Sequence, residues 1–298
     1  MKIPVSVIIL TYNEQKNLAS TLEAIYAWVD EIFVVDSFSK DRTIEIAESY
    51  GAVVVQQAFE THSLQWSFAL SQLPVKNNWI LGLDADQQIM PELAQEIKAL
   101  FLDKEPTYSG YYVKRRMFFL DKWIRHGGYY PLYLLKLFRK DAVFIDEGEM
   151  MDHHFYVRGK TSRLNNDLIE ANQNETLEFW LNKHIRYAKL QASEELYRSR
   201  NASSHANLFG NQDERRQSLK NTWEKLPLFL RPFLYFFYRY FLQLGVLDGR
   251  TGLIFHLLQA FWYRFIVDAK IYEARKALKR VSHQNSLNNE PDQPQPVR

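Results

Sequence analysis

Residues Trp79–Gln87 read Trp-Ile-Leu-Gly-Leu-Asp-Ala-Asp-Gln, an apolar run that ends in two carboxylates one residue apart. A strand tip is rigid, and side chains at i and i+2 leave it on the same side, so Asp84 and Asp86 share one direction. Two carboxylates at one point repel unless something positive lies between them. A hard divalent cation carrying substrate phosphates meets that need. Alternatively, Asp84 ends the strand and Asp86 merely opens a turn.

The elements that must position this pair follow from hydrophobic periodicity. Val5–Leu10 is an apolar, β-branched run, and Leu18–Trp28 has helical spacing with Asn17 as its cap. Glu31–Val35 reads as a second strand and Asp41–Tyr50 as a second helix, with Gly51 suited to a left-handed cap. Ala52–Val55, Ser63–Leu70 and Trp79–Leu83 continue the alternation as strand, helix and strand. Such alternation predicts an α/β fold with a mostly parallel, Rossmann-like sheet. Ligands of such sheets bind at the carboxyl ends of the strands. Polar residues gather at those ends: Thr11, Asn13 and Glu14, then Asp36, Ser37 and Ser39, then Asp84 and Asp86.

Composition narrows the classes. The 298 residues are 46% hydrophobic and 15% aromatic, enough to fill a substantial core, and the net charge of +2 does not announce a nucleic-acid binder. No cysteine is present, which excludes disulfides, thiolate metal sites and cysteine nucleophiles. The amino terminus runs straight into a strand without a cleavable signal pattern, so the chain is expected to start in the cytosol. Neither Gly-x-Gly-x-x-Gly nor Gly-x-x-x-x-Gly-Lys-Ser/Thr occurs. A dinucleotide-dependent dehydrogenase or P-loop enzyme is therefore disfavoured.

Three motifs in order, Val5-Ser-Val-Ile-Ile-Leu-Thr-Tyr-Asn-Glu14, Glu31-Ile-Phe-Val-Val-Asp-Ser-Phe-Ser-Lys-Asp-Arg-Thr43 and Leu83-Asp-Ala-Asp86, resemble the nucleotide-sugar half of family 2 glycosyltransferases. The resemblance covers about the first 190 residues and continues more loosely beyond, as in members that build bacterial surface polysaccharides and lipopolysaccharide cores. It implies a GT-A (nucleotide-diphospho-sugar transferase) fold, a nucleoside-diphosphate sugar donor, Mg2+ or Mn2+, and inversion at the anomeric carbon. Carried over by position, Thr11, Asn13 and Glu14 would border the nucleoside, and Asp36 would accept from the base and favour a UDP-sugar. Asp84 would touch the ribose or the metal's water shell, and Asp86 the metal itself. Asp36 could instead serve the following turn, while Asp41 with Thr43 is better explained as a helix cap. Where relatives often carry a basic residue and an Asn before an Ala-Leu pair, this chain has Gln65-Trp66-Ser67-Phe68-Ala69-Leu70. Trp66 then either packs on the nucleotide or is core.

Transfer needs a base for the acceptor hydroxyl, a contribution of about 10²–10⁴-fold. The segment Glu149-Met-Met-Asp-His-His-Phe resembles a Met-Asp-Glu-His-Phe stretch of some relatives. That likeness makes Asp152 the base, with Glu149 and Glu147 as alternatives. His153 and His154 could orient it, or His154 could complete the metal shell. In Lys114–Lys140, basic residues alternate with aromatics around Gly127-Gly128, which lets the backbone pass close to a ligand. The resemblance places the acceptor and part of the donor diphosphate here, on Arg125, His126 and Arg139. Single-stranded nucleic acid could use similar residues, but the balanced charge and the paired aspartates argue for no nucleic-acid partner.

The carboxyl-terminal third changes character. Ser199–Lys220 is polar, whereas Leu226–Val246 is strongly apolar yet interrupted by Arg231 and Arg239. Phe229, Phe233, Phe237 and Phe241 recur every fourth residue, and Arg231, Tyr235, Arg239 and Gln243 do so half a turn away. The pattern predicts an amphipathic interfacial helix, apolar on one side and cationic on the other. Ile254, Leu258, Trp262 and Ile266 suggest a second, and both could alternatively close as ordinary core. Residues 223–280 hold ten Lys or Arg against four Asp or Glu, which favours an anionic membrane surface.

The expected organisation is a GT-A domain over 1–200, split at about residue 100 into nucleotide-sugar and acceptor halves. A helical membrane-associating region over 201–281 and a disordered tail over 282–298 follow. The expected function is metal-dependent transfer of a sugar to a lipid-linked or glycan acceptor in lipopolysaccharide or polysaccharide synthesis. Its expected place is the cytoplasm, peripheral on the inner face of the plasma membrane. A sugar nucleotidyltransferase and a catalytically silent membrane scaffold are the rival readings.

Overall fold

The structure, a computed structural model, describes residues 2–102, 105–146, 154–173, 176–200, 222–223 and 225–288. Its centre is a nine-stranded sheet. The strands are β1 (Ile3–Thr11), β2 (Val29–Asp36), β3 (Val53–Gln56), β4 (Trp79–Asp84), β5 (Gln87–Ile89), β6 (Gly110–Phe119), β7 (Lys122–Ile124), β8 (Leu132–Arg139) and β11 (Thr161–Glu170). Their order is β3-β2-β1-β4-β8-β6-β11-β5, with β7 attached to β6. The first four pair in parallel, and β8 then enters antiparallel to both β4 and β6. A separate hairpin-like pair, β9 (Val143–Ile145) and β10 (Phe155–Val157), lies beside it.

Side-chain alternation along β1 sends Val5, Val7 and Ile9 to one face and Ile8 to the other. The first face is covered by α1 (Leu18–Glu23), α2 (Thr43–Ser49) and α4 (Pro91–Ala99), through residues such as Leu22, Ala47 and Leu93. The second is covered by α3 (His62–Gln72), with Trp66 fully buried against Phe155. Trp66 is therefore core, one of the two roles its position allowed.

Most expected elements stand where the periodicity placed them. Gly51 is left-handed (φ +75°) after α2, and the Asp41 carboxylate caps that helix by accepting from the Thr43 backbone N–H at 3.0 Å. The first helix is shorter than expected. Asn17 does not cap it: its amide bridges to Glu14 and to Asn172, and it accepts from the Gln173 N–H. A polar residue before an apolar run thus ties two distant loops together instead.

The long helix α5 (Leu177–Arg200) leads to the carboxyl-terminal module, formed by α6 (Arg231–Phe237), α7 (Gly249–His256) and α8 (Tyr263–Asn288), with π turns extending α6 and α7. Ala188 and Ala192 of α5 pack on Tyr263, Val267 and Ile271 of α8. The helix α8 runs to Asn288, past the expected start of a disordered tail at 282. No helix among the described residues is long and apolar enough to cross a membrane.

The cationic stripe of α6 faces the rest of the protein. Arg231 is buried, donating to Asp268 at 2.6 Å and to Glu195 at 2.9 Å. Arg239 donates to the Gly127 carbonyl and to the Tyr235 hydroxyl. The arginines hold the module to the rest of the chain, and the phenylalanines face outwards.

Candidate active site at the carboxyl edge of the sheet

Register aligns the strand ends. Thr11 lies opposite Asp36, and Leu10 opposite Asp84, so three strands finish side by side. Asp36 is fully buried and accepts from the Thr11 hydroxyl at 3.0 Å and from the Ser39 backbone N–H at 2.9 Å. The Asn13 N–H donates to the Ser39 hydroxyl, the Asn13 side chain accepts from the Lys40 N–H, and the Glu14 N–H donates to the Thr43 hydroxyl. The loops after β1 and β2 are thereby sewn together as one rigid rim. On that rim the rings of Tyr12 and Phe38 stand exposed.

Asp84 accepts from Lys136 at 3.2 Å, a lysine that is itself buried in the apolar run Leu132–Phe138 of strand β8. Asp86 accepts from the Asn172 amide at 3.2 Å, while its carbonyl accepts from the Ala171 N–H. Glu170, at the end of β11, accepts from Gln87 at 2.9 Å and from Arg115 at 3.1 Å. Burial pushes the Asp86 carboxyl up to about 7, and the neighbouring Glu170, Asp84 and Glu14 add to that while Lys183 opposes it. Burial also raises Glu14, against the pull of its Asn17 hydrogen bond and Lys183. Lys183, on α5, is held above the ordinary lysine range: burial opposes its charge, but Tyr187, Asp86, Glu170 and Glu14 outweigh it.

The edge therefore brings together Thr11, Asn13, Glu14, Asp36, Asp84 and Asp86. Arg139 lies elsewhere. Arg139 pairs in register with Trp79, at the amino end of β4, five residues and about 16 Å from Asp84. There it grips Asp141 at 3.1 Å. The reason is the antiparallel direction of β8, which brings Lys136 to the site and carries Arg139 away from it.

Arg125 lies over the Trp123 ring, exposed. His126 Nδ1 is 2.7 Å from Asp248, which also accepts from the His126 N–H. A Cβ on Gly127 would run into His256, and one on Gly128 into Gln243 and Arg239. The two glycines admit the close approach of the chain's own helices. His154 precedes β10, its ring 6.4 Å from Tyr156. Among the described residues no three His, Asp or Glu side chains are grouped to hold a metal ion, so His154 does not join Asp84 and Asp86 in one shell. Asp152, Glu149, Glu147 and His153 lie outside the described residues.

Sequence reasoning missed Lys136, Arg115, Glu170, Asn172 and Lys183. Lys136 carried a signal, a lone cation inside Leu132–Phe138. The others are joined to the site only by tertiary folding.

The carboxylates of Asp84, Asp86, Glu170 and Glu14 are hard oxygen donors, although no three of them are grouped closely enough among the described residues to enclose an ion. In type, they fit Mg2+ or Mn2+.

A model of the glycosyl transferase family 2 matches residues 6–159. An uncharacterized glycosyltransferase of Rickettsia bellii is 38% identical over 111 residues, which is 37% of this chain and 37% of that relative. The match thus spans little more than a third of the relative's length. Among solved structures, mannosyl-3-phosphoglycerate synthase from Rubrobacter xylanophilus overlaps 71% of this chain and 79% of its own, at 16% identity and a TM-score of 0.45. Glucosyl-3-phosphoglycerate synthase from Mycobacterium tuberculosis, crystallised with Mn2+, uridine diphosphate and glucosyl-3-phosphoglycerate, overlaps 64% and 80%, at 16% identity and a TM-score of 0.42.

Proposed function

The chain belongs to glycosyl transferase family 2, and on that premise we propose that it moves a sugar from a nucleoside-diphosphate donor, UDP-linked by preference, to a lipid-linked or glycan acceptor at a membrane surface. The observation that carries this reading is the alignment of three parallel strand ends, which sets Thr11, Asp36 and Asp84 in a row beside Glu14, Asp86 and Glu170. The rings of Tyr12 and Phe38 offer flat apolar faces for a nucleobase on the rim, which the Asp36 hydrogen bonds keep rigid.

Asp86 and Asp84 would hold Mg2+ or Mn2+, which when bound offsets the charge of the leaving diphosphate. Lys136, paired with Asp84, brings a fixed positive charge to the same strand end. Glu170 and Lys183 lie beyond the family match and act on Asp86 by charge in opposite senses, Lys183 favouring its carboxylate and Glu170 its protonated acid. The acceptor hydroxyl attacks the anomeric carbon opposite the departing diphosphate, and its proton passes to Asp152, or else to Glu149 or Glu147. Inversion follows from that single displacement. A role in lipopolysaccharide or surface-polysaccharide synthesis, on the inner face of the plasma membrane, fits a donor made in the cytosol.

Thermal unfolding in the presence of UDP, GDP or dTDP, each with and without Mn2+, tests the donor assignment. UDP with Mn2+ should raise the melting temperature, and Asp86→Asn should weaken that binding by about tenfold or more. Stabilisation by UDP that is indifferent to the metal would remove the cation from Asp86. The absence of any nucleotide effect would remove the donor assignment.

A further inference from the structure

Leu230–Leu257 turns the usual polarity of a protein surface inside out. Phe233, Phe237 and Phe241 are 56%, 54% and 49% exposed, and Leu242 and Leu247 reach 65% and 61%. Charged side chains of the same stretch go the other way. Arg231 and Asp248 are buried, and Arg239 is spent on Gly127 and Tyr235, which leaves Arg250 exposed. An apolar ridge of this extent is not a normal solvent face. Nor does it span a bilayer, since Leu244 (φ +61°) and Gly249 (φ +67°) break the helices into short pieces.

What would cover the ridge is indicated by the charge beside it. Phe229, at the foot of α6, packs on Tyr272 of α8 with ring centroids 6.0 Å apart. Just beyond Tyr272, α8 carries exposed Arg275, Lys276, Lys279 and Arg280 against the single acid Glu273. An apolar surface flanked by a basic helix end matches the boundary between acyl chains and anionic headgroups. Protein partners that bury rings do not ask for that flanking charge.

We propose that Leu230–Leu257 inserts into one leaflet of an anionic bilayer as a monotopic anchor. Headgroup contacts come from the basic stretch Arg275–Arg280 of α8, and the arginines of α6 hold the fold. This deepens the membrane-surface part of the function proposed above and rests on it. It also gives the acceptor side a fixed height, because the inserted helix grips the Gly127 loop through Arg239 and the Gln243 carbonyl.

The test is vesicle flotation with the full chain, comparing phosphatidylcholine alone with phosphatidylcholine containing phosphatidylglycerol, at about 0.1 M and about 0.5 M salt. The ridge variant Phe237→Ser/Phe241→Ser/Leu242→Ser should lose about tenfold or more of its partitioning at both salts. The basic variant Arg275→Gln/Lys276→Gln/Arg280→Gln should lose binding only to anionic vesicles at low salt. A ridge variant that floats like the wild type overturns the proposal. So does wild-type binding that vanishes entirely at high salt, or a wild-type dimer in solution that the ridge variant converts to monomer. UDP-dependent stabilisation, measured on the same samples, separates the two readings. Its retention by the ridge variant shows an intact fold, and its absence from wild type would sink the donor assignment while leaving the flotation result to stand.

Discussion

The two ends of this chain obey the same burial rules with opposite results. At the sheet edge, apolar side chains fill both faces and polar ones collect at the strand tips, where Asp36, Thr11 and Ser39 satisfy one another. In the carboxyl-terminal module, the ions sit inside and the rings outside. An arrangement that water would penalise is sensible if the medium outside is not water. The contrast is sharpest within α6 itself, where Arg231 and Phe233, two residues apart, have exchanged the places that solubility alone would give them.

The largest effect should come from breaking the interior of that module. Arg231 is 2% exposed and bound to both Glu195 and Asp268. Arg231→Met leaves two buried carboxylates without their cation, at a cost of about 3–5 kcal/mol. Urea unfolding followed by circular dichroism would measure it. A loss near zero would mean that water reaches the pair, and the inverted polarity would fail with it.

Acid should weaken the same module before it touches the sheet rim. His256 is completely buried, facing Asp248 and Arg239 among the rings of Tyr129, Tyr240 and Phe255. Burial lowers its pKa from 6.5 to about 4, with Arg239 adding and Asp248 opposing. Between those values the unfolded chain binds a proton that the folded chain refuses. Stability is therefore whole above about pH 6.5 and declines as the pH falls, by up to about 3 kcal/mol from this residue. His256→Leu should remove about 1.4 kcal/mol per pH unit from that slope, read from urea midpoints between pH 6.5 and 4.5. An unchanged slope would assign the acid sensitivity to the other buried imidazole, His184, whose pKa burial also lowers to about 4.

Much of the sheet and its rim was legible in the sequence, because strand period, helix spacing and the polar residues after β1, β2 and β4 all point to one edge. Direction was the quantity that could not be read. Arg139 and Lys136 lie three residues apart, and only the antiparallel entry of β8 decides that the lysine meets Asp84. Glu170 and Lys183 join the cluster from β11 and α5, with no local pattern to announce it. For α6 the period separated two faces correctly, but periodicity has no sign. It says that arginines and phenylalanines oppose one another, not which of them meets the protein.

A smaller effect should follow at the rim. Asp41 accepts from the Thr43 N–H and from the Gln15 N–H, so it caps α2 and ties the β1 loop to it. Asp41→Ala should cost about 1 kcal/mol, a drop of a few degrees in melting temperature. A fall of several kcal/mol would mean that the rim depends on one carboxylate, and its other cross-links would count for little.

The smallest effect is the most informative about the comparison. Phe237 is 54% exposed and touches the Phe241 ring at a centroid distance of 5.2 Å, so Phe237→Ser gives up one surface ring pair. Folding stability in buffer should move by no more than about 0.5 kcal/mol, as for other exposed positions. A core phenylalanine truncated in the same way would cost about 3–5 kcal/mol. The two outcomes are far enough apart for a single melting curve to separate them. A core-sized loss would mean that the fold itself covers this ring, and α6 would then be ordinary interior. A negligible loss leaves the ring with no task in folding, so that its retention has to be explained by what the module meets outside the chain.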